Sequence, residues 1–328
     1  MGDSVGTIVN VARKLRLILL VIFVLGYLMG CARNIKPDIA QLQARMALIN
    51  DDKTQTVYYF TKPNKEKFPI VILCDGSTSS DAIESVWRLH QFEQFAALKA
   101  LGVAIITIEK DGVDVDSIDK PRFFANYTRS RRFKDHVTVI DHVLKNPPQG
   151  FDGRLIFIGA SEGGPLVNQL SIHYPQTIAT INWSGAGDWS WHDELWAWIE
   201  DMRQKSGFLA RLYGWWYHVP KNREQFDSIM AEALKNPSTQ HWFLGMTYRY
   251  HADAIETRPY EYKKFHAPML VVCGTKDSLI DSCDAFVEKA KSALVPITYW
   301  RIEGMEHRIS HNKENIIPKS FAWLKQWL

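Results

Sequence analysis

Leu155-Ile156-Phe157-Ile158-Gly159-Ala160-Ser161-Glu162-Gly163-Gly164-Pro165 decides how this chain of 328 residues is read. Four apolar residues of strand type run into Gly159. Gly164-Pro165 then suits a first helical turn, where the missing N–H of proline is no loss. Between them Gly159-Ala160-Ser161-Glu162-Gly163 matches G-x-S-x-G. In that pattern the serine sits on a strained strand-to-helix turn, and the flanking glycines let strand and helix crowd it without a Cβ clash. A Gly-rich turn whose serine only caps the helix is the alternative. The buried-type strand before it and the helix start after it favour Ser161 as a nucleophile.

Similar runs lie on either side. Val57–Phe60 is β-rich, and Pro69–Cys74, Val103–Ile108, Thr180–Trp183, Met269–Cys273 and Ile297–Ile302 have strand length. Apolar runs without alternation suit parallel strands buried on both faces. Helical patterns separate them. Phe133, Val137, Ile140 and Leu144 recur at helical spacing until Asn146-Pro147-Pro148 stops them, and Phe321-Ala322-Trp323-Leu324 marks a last helix. The alternation predicts an α/β class with a doubly wound, mostly parallel sheet. About 80 residues separate the strands at Thr180 and Met269, far more than a crossover needs. This insertion, at about 188–262, holds Trp189, Trp191, Trp196, Trp198, Trp215, Trp216 and Trp242, seven of the chain's 12 tryptophans. It is read as a helical cap over the catalytic edge of the sheet. Some of its tryptophans, with Phe208, Tyr213 and Tyr217 among them, are expected to face a substrate.

The partners for Ser161 follow in chain order. Gly274-Thr275-Lys276-Asp277 comes after the strand Met269–Cys273, and Gly304-Met305-Glu306-His307 after Ile297–Ile302. A carboxylate and a histidine at the C-terminal ends of the last two strands share an edge with the serine. There His307 can take the serine proton and Asp277 can fix its tautomer. Asp188, after the strand Thr180–Trp183, is the reserve for the acid. His307 and His311 have metal-pair spacing, but no third ligand and no HExxH accompany them, so no metal site is expected, nor any cofactor. Asp111, Asp114, Asp116 and Asp119 do not fit an EF-hand and read as a solvated loop. Glu162 has two readings, a helix N-terminal carboxylate or a cleft group for a cation. Cys74 and Cys273 read as small core residues.

From about residue 55 to the end, these motifs resemble the α/β-hydrolase superfamily, in its esterase, dienelactone-hydrolase-like and serine-peptidase-like branches. Ser161, Asp277 in Gly-x-x-Asp and His307 in Gly-x-x-His match its nucleophile, acid and base positions. The resemblance implies an oxyanion hole from the backbone N–H of Glu162 and one from the loop after Cys74. Many relatives carry His-Gly where this chain has Asp75-Gly76, and by position the second donor is Ser77 N–H. It also implies a serine hydrolase that cleaves a carboxylic ester or thioester through an acyl-enzyme. The expected partner is a small-molecule or lipid-like acyl substrate with an apolar acyl or leaving group. A peptidase of the same fold, with Glu162 or cap acids recognising an amine, and an inactive binding protein are the alternatives.

The rest of the chain bounds these readings. A net charge of +3, spread along the chain, makes no case for nucleic-acid binding. Four cysteines without a CxxC pair make a disulfide framework improbable. Arg13, Lys14 and Arg16 precede an apolar run from Leu17 to Gly30, the pattern of an export signal. Leu28-Met29-Gly30-Cys31 resembles a lipobox, which makes Cys31 the expected lipidation site of a lipoprotein at the bacterial cell envelope. An uncleaved single-pass signal anchor is the alternative. The expected organisation is residues 1–31 as signal and membrane anchor, 32–54 as tether, and 55–328 as the hydrolase domain.

Overall fold

In the computed structural model, the described residues are 45–50, 54–80, 82–91, 93–204, 219–256, 260–309 and 315–328. The signal and lipidation reading of residues 1–31, Cys31 included, lies outside them. So do His311 and, in the insertion, Phe208, Tyr213, Trp215, Trp216 and Tyr217. Among the described residues no helix is long and apolar enough to cross a membrane.

The apolar runs become one eight-stranded sheet. Its strands are β1 (Arg45–Ile49), β2 (Gln55–Thr61), β3 (Phe68–Cys74), β4 (Ala104–Ile108), β5 (Phe151–Ala160), β6 (Thr177–Trp183), β9 (Met269–Gly274) and β10 (Ile297–Ile302). The order across the sheet is β1-β2-β4-β3-β5-β6-β9-β10. Only the pairs β1–β2 and β2–β4 are antiparallel. Parallel pairing from β4 to β10 sends the C-terminal ends of those strands to one edge.

Side-chain alternation explains why the central strands carry unbroken apolar runs. Ile70, Ile72, Leu155 and Phe157 pack on one face with Val139, Ile140, Val167 and Leu170 of the helices behind it. Val71, Ile156 and Ile158 point the other way, to Phe95, Leu98, Phe321 and Leu324. Both faces are covered, so every position must be apolar.

The sheet starts earlier than the sequence reading placed it. Residues 45–49, assigned to the tether, form edge strand β1, with Ala47 opposite Val57. Its apolar run, Met46-Ala47-Leu48-Ile49, is short, and as part of an edge strand it leaves Met46 and Ile49 exposed. Arg45 anchors it through an ion pair to Asp114 at 2.5 Å. The acidic loop is likewise less solvated than expected. Buried Asp111 pairs with Arg122 at 2.6 Å, and Asp119 caps the helix Lys120–Asn126 through Arg122 N–H. Asp116 and Asp119 are exposed, as the solvated reading expects.

The helices used below are α1 (Glu93–Ala100), α2 (Lys120–Asn126), α3 (Arg129–Lys145), α4 (Gly163–His173), α5 (Trp191–Gln204), α6 (Arg223–Lys235), α7 (Tyr248–Glu256), α8 (Ile280–Ser292) and α9 (Ile316–Leu324). The insertion contributes α5, α6 and α7, and a small hairpin of β7 (Trp242–Phe243) and β8 (Met246–Thr247) that sequence reading did not anticipate. It has its own core of Leu195, Ile199, Phe226, Met230 and Phe243. Tyr250 and Ala254 of α7 then dock it on Val113, Phe123 and Tyr127.

Candidate active site

β5 ends at Ala160, and Ser161 turns the chain into α4 with a φ of 53°. A non-glycine residue in this left-handed region costs about 1–3 kcal/mol and persists only where its surroundings hold it. Here Ser161 N–H donates to Trp183 C=O at 2.9 Å, and Gly164 N–H to Ser161 C=O at 2.8 Å. The two motif glycines are steric necessities. A Cβ on Gly159 would lie 2.2 Å from Gly163 O, and one on Gly163 would lie 2.4 Å from Cys74 O.

The structure brings Ser161, His307 and Asp277 into one line. Ser161 Oγ lies 2.9 Å from His307 Nε2, and His307 Nδ1 lies 3.0 and 3.1 Å from the oxygens of Asp277. An acceptor at Nδ1 assigns the proton there and leaves the Nε2 lone pair for the serine O–H. Asp277 is buried and also accepts Leu279 N–H at 3.0 Å, so its orientation is fixed. The loops carrying acid and base are laced together. Thr275 N–H donates to Ile302 C=O at 2.9 Å, and Lys276 N–H to Met305 C=O at 3.0 Å. Asp188 belongs elsewhere: its carboxylate takes Lys289 at 2.8 Å and the Tyr262 hydroxyl at 2.5 Å.

The residues of both expected oxyanion donors border the cavity at Ser161. The loop after β3 passes close to Ser161, and a Cβ on Gly76 would sit 3.3 Å from Ser161 Cβ. Ser77 and Glu162 line the same cavity as Ser161, and neither N–H has a backbone or side-chain acceptor among the described residues. The Glu162 side chain corrects the sequence reading of a cleft group for a cation. It accepts Arg132 at 2.8 Å on Oε1, and the hydroxyls of Tyr127 at 2.6 Å and Tyr250 at 3.0 Å on Oε2.

These bonds reach both loops that carry the expected oxyanion donors. Arg132 also donates to Asp75 C=O at 3.0 Å and to its carboxylate at 2.7 Å. Tyr127 Oη accepts Thr78 N–H at 3.0 Å. The residues on either side of Gly76-Ser77 are therefore tied to the carboxylate of Glu162. Lys110 completes the cluster on Asp75. Burial by itself would raise both carboxyls, but Lys110 and Arg132 hold Asp75, and Arg132 and Arg129 hold Glu162, below the usual carboxylate range. None of this was legible from motifs.

Tyr127→Phe removes one hydroxyl from that clamp without stranding a charge. We expect kcat on an activated ester to fall about 10-fold with KM nearly unchanged, less than the roughly 10²–10³ lost with a whole oxyanion donor. Steady-state kinetics on a p-nitrophenyl ester read it, and a rise in KM with kcat intact would separate Tyr127 from the hole.

A cavity of about 460 Å³ opens over the serine, an ordinary size for a small-molecule site. Trp191, Leu195, Trp198, Leu244 and Met246 of the insertion line it, and Arg129, Glu194, His251 and Arg308 are its ionisable side chains besides the site residues. Trp196 instead packs inside the cap against Phe226, ring centroids 5.4 Å apart, and Trp242 packs edge-on against Phe124 at 4.5 Å. The cap tryptophans thus divide between lining and packing.

No protein-family model matches the chain, and no curated protein matches it in sequence. Solved structures do share its architecture. Est1E from Butyrivibrio proteoclasticus superposes with a TM-score of 0.54 at 16% identity, over 87% of this chain and 98% of that one. A highly thermostable carboxyl esterase from Bacillus coagulans gives 0.59 at 12% identity, over 86% and 98%. The acylaminoacyl peptidase of Pyrococcus horikoshii gives 0.52 at 14%, over 88% of this chain but 42% of that one. The chain has the α/β-hydrolase fold of these structures.

Proposed function

We propose that the chain is a serine hydrolase that cleaves a carboxylic ester or thioester through an acyl-enzyme. The observation that carries this reading is the line of hydrogen bonds from Asp277 through His307 to Ser161, at 3.0 and 2.9 Å, beneath a cavity walled by apolar cap residues. Ser161 Oγ attacks the carbonyl carbon as its proton passes to His307 Nε2. The N–H groups of Glu162 and Ser77 receive the oxyanion. His307 then returns the proton to the departing alcohol or thiol. Water attacks the acyl-enzyme by the same route in reverse, releasing the acid and restoring Ser161. Asp277 stays ionised throughout and stabilises the imidazolium. The esterases among the solved neighbours agree with an ester substrate, and the commitment of Glu162 to Arg132 withdraws one proposed anchor for a peptide amine.

The test is labelling by a fluorophosphonate, followed by paired p-nitrophenyl esters and p-nitroanilides of the same acyl groups. We expect one label per chain, on Ser161, and ester turnover far above amide turnover. A protein that neither labels nor turns over any ester of the panel overturns the proposal.

A further inference from the structure

We propose that Arg129 is an anchor for a carboxylate on the substrate, so that the preferred esters carry an anionic group beyond an apolar stretch. The proposal rests on the serine-hydrolase reading for its position in a reaction and deepens it by naming a substrate class. Arg129 is the first residue of α3, and its half-buried side chain lines the same cavity as Ser161 and His307. Its guanidinium carbon stands 4.5 Å from the centre of the Trp191 ring. That ring is itself held, since its indole N–H donates to His251 Nδ1 at 3.1 Å and His251 Nε2 meets Phe243 C=O at 2.9 Å. Stacking on an aromatic face leaves the edges of a guanidinium free for in-plane donation.

Among the described residues two cations line this cavity without an acid partner, Arg129 and the exposed Arg308, and of these Arg129 is the one held over a ring. The neighbouring cations each have an acid: Lys110 with Asp75, Arg122 with Asp111, Arg131 with Asp135, and Arg132 with both Asp75 and Glu162. Arg129 forms no such pair among the described residues, and its Nε has no hydrogen-bond partner there. Burial disfavours its charge, yet Tyr250, Glu194 and Glu162 hold its pKa above the ordinary arginine value, so the group stays cationic. One side of the guanidinium is taken by a hydrogen bond with Tyr250, and the part of this planar cation that borders the cavity matches a carboxylate. The apolar wall of Leu195, Leu244 and Met246 suits the stretch between that carboxylate and the scissile bond.

Two acids of the cavity act on Arg129, Glu162 and Glu194, and Glu162 is already taken by Arg132. Glu194 lines the same cavity and accepts the Ser282 hydroxyl at 2.8 Å, and burial raises its pKa although Arg129 opposes the rise. Arg129, Pro165, Trp191 and Glu194 also border a second chamber of about 100 Å³, with Trp189 and Tyr260. Arg129 and Glu194 thus stand on the wall that the two chambers share.

The test compares kcat/KM for substrate pairs that differ only in charge. The p-nitrophenyl half-ester of glutarate is set against its methyl ester, and 4-butanoyloxybenzoate against its methyl ester, so the carboxylate is tried on either side of the scissile bond. In one of the two pairs we expect wild type to favour the anion about 10- to 100-fold, the worth of a charged hydrogen bond. Arg129→Met should bring that ratio to about one, and Glu194→Gln should raise it above wild type. A binding readout makes the outcome independent of turnover: 5-phenylpentanoate should raise the Tm of the wild type, its amide should not, and Arg129→Met should abolish the difference. If no ester turns over but this shift appears, Arg129 stands and the hydrolase reading falls. Ratios near one for both pairs with active wild type, a ratio untouched by Arg129→Met, or no Tm difference between carboxylate and amide overturns the anchor.

Discussion

Ser161→Ala should abolish ester hydrolysis, with kcat falling by on the order of 10⁶, the scale set by loss of a nucleophile that works as one unit with its base. The expectation follows from the turn itself. Ser161 is held at a φ of 53° by the Trp183 carbonyl, and its Oγ is the atom 2.9 Å from His307 Nε2. Alanine keeps the Cβ and the backbone, so the fold should stay and only the attacking oxygen should go. Thermal unfolding close to wild type, together with loss of both turnover and fluorophosphonate labelling, would establish that. Labelling that persists in the folded variant would move the nucleophile elsewhere. His307→Ala should cost nearly as much, because without the base the serine keeps its proton.

Asp277→Asn should lower kcat by on the order of 10⁴. The amide fits the space of the carboxylate, but its NH₂ can turn toward His307 and force the proton to Nε2, where it blocks the serine. Asp277 is enclosed, with the Leu279 N–H on one oxygen, so no solvent rescues the tautomer. Asp188→Asn should leave kcat within a few-fold of wild type, since Lys289 and Tyr262 take its carboxylate. The two variants measured side by side on one ester decide between them. A larger loss in the Asp188 variant would relocate the acid to the end of β6.

Hydropathy exposed the central sheet because burial on both faces leaves no room for polar side chains, as Ile70 to Cys74 and Leu155 to Ile158 illustrate. It failed at β1, where one side faces solvent. On α3 it was right but incomplete. Phe133, Val137, Ile140 and Leu144 do form a helix face packed on the core, and the structure turns Arg132, Asp135, His136, Val139 and Val143 inward with them. The polar half of that face is buried because its partners wait for it. Arg132 meets Asp75 across 57 positions and Glu162 across 30. Such pairing has no period and no motif. Ser161, Asp277 and His307 were legible because each sits where a strand ends, a place that sequence pattern can mark. The groups that steady them lie in helix interiors and cap surfaces, whose neighbours only the folded chain defines.

Tyr250 comes from the cap, yet its hydroxyl completes the shell of Glu162, the residue whose backbone N–H is the proposed oxyanion donor. Lid and catalytic turn are therefore not separable modules. Exchanging this insertion for another, as an engineer would to import a new substrate range, removes a donor from a buried carboxylate 88 positions away in sequence. A graft that keeps only the walls of the pocket brings selectivity without the turn it must serve. Transplants into this scaffold need a hydroxyl at position 250 as part of the joint, much as a replacement keystone must match the arch beneath it.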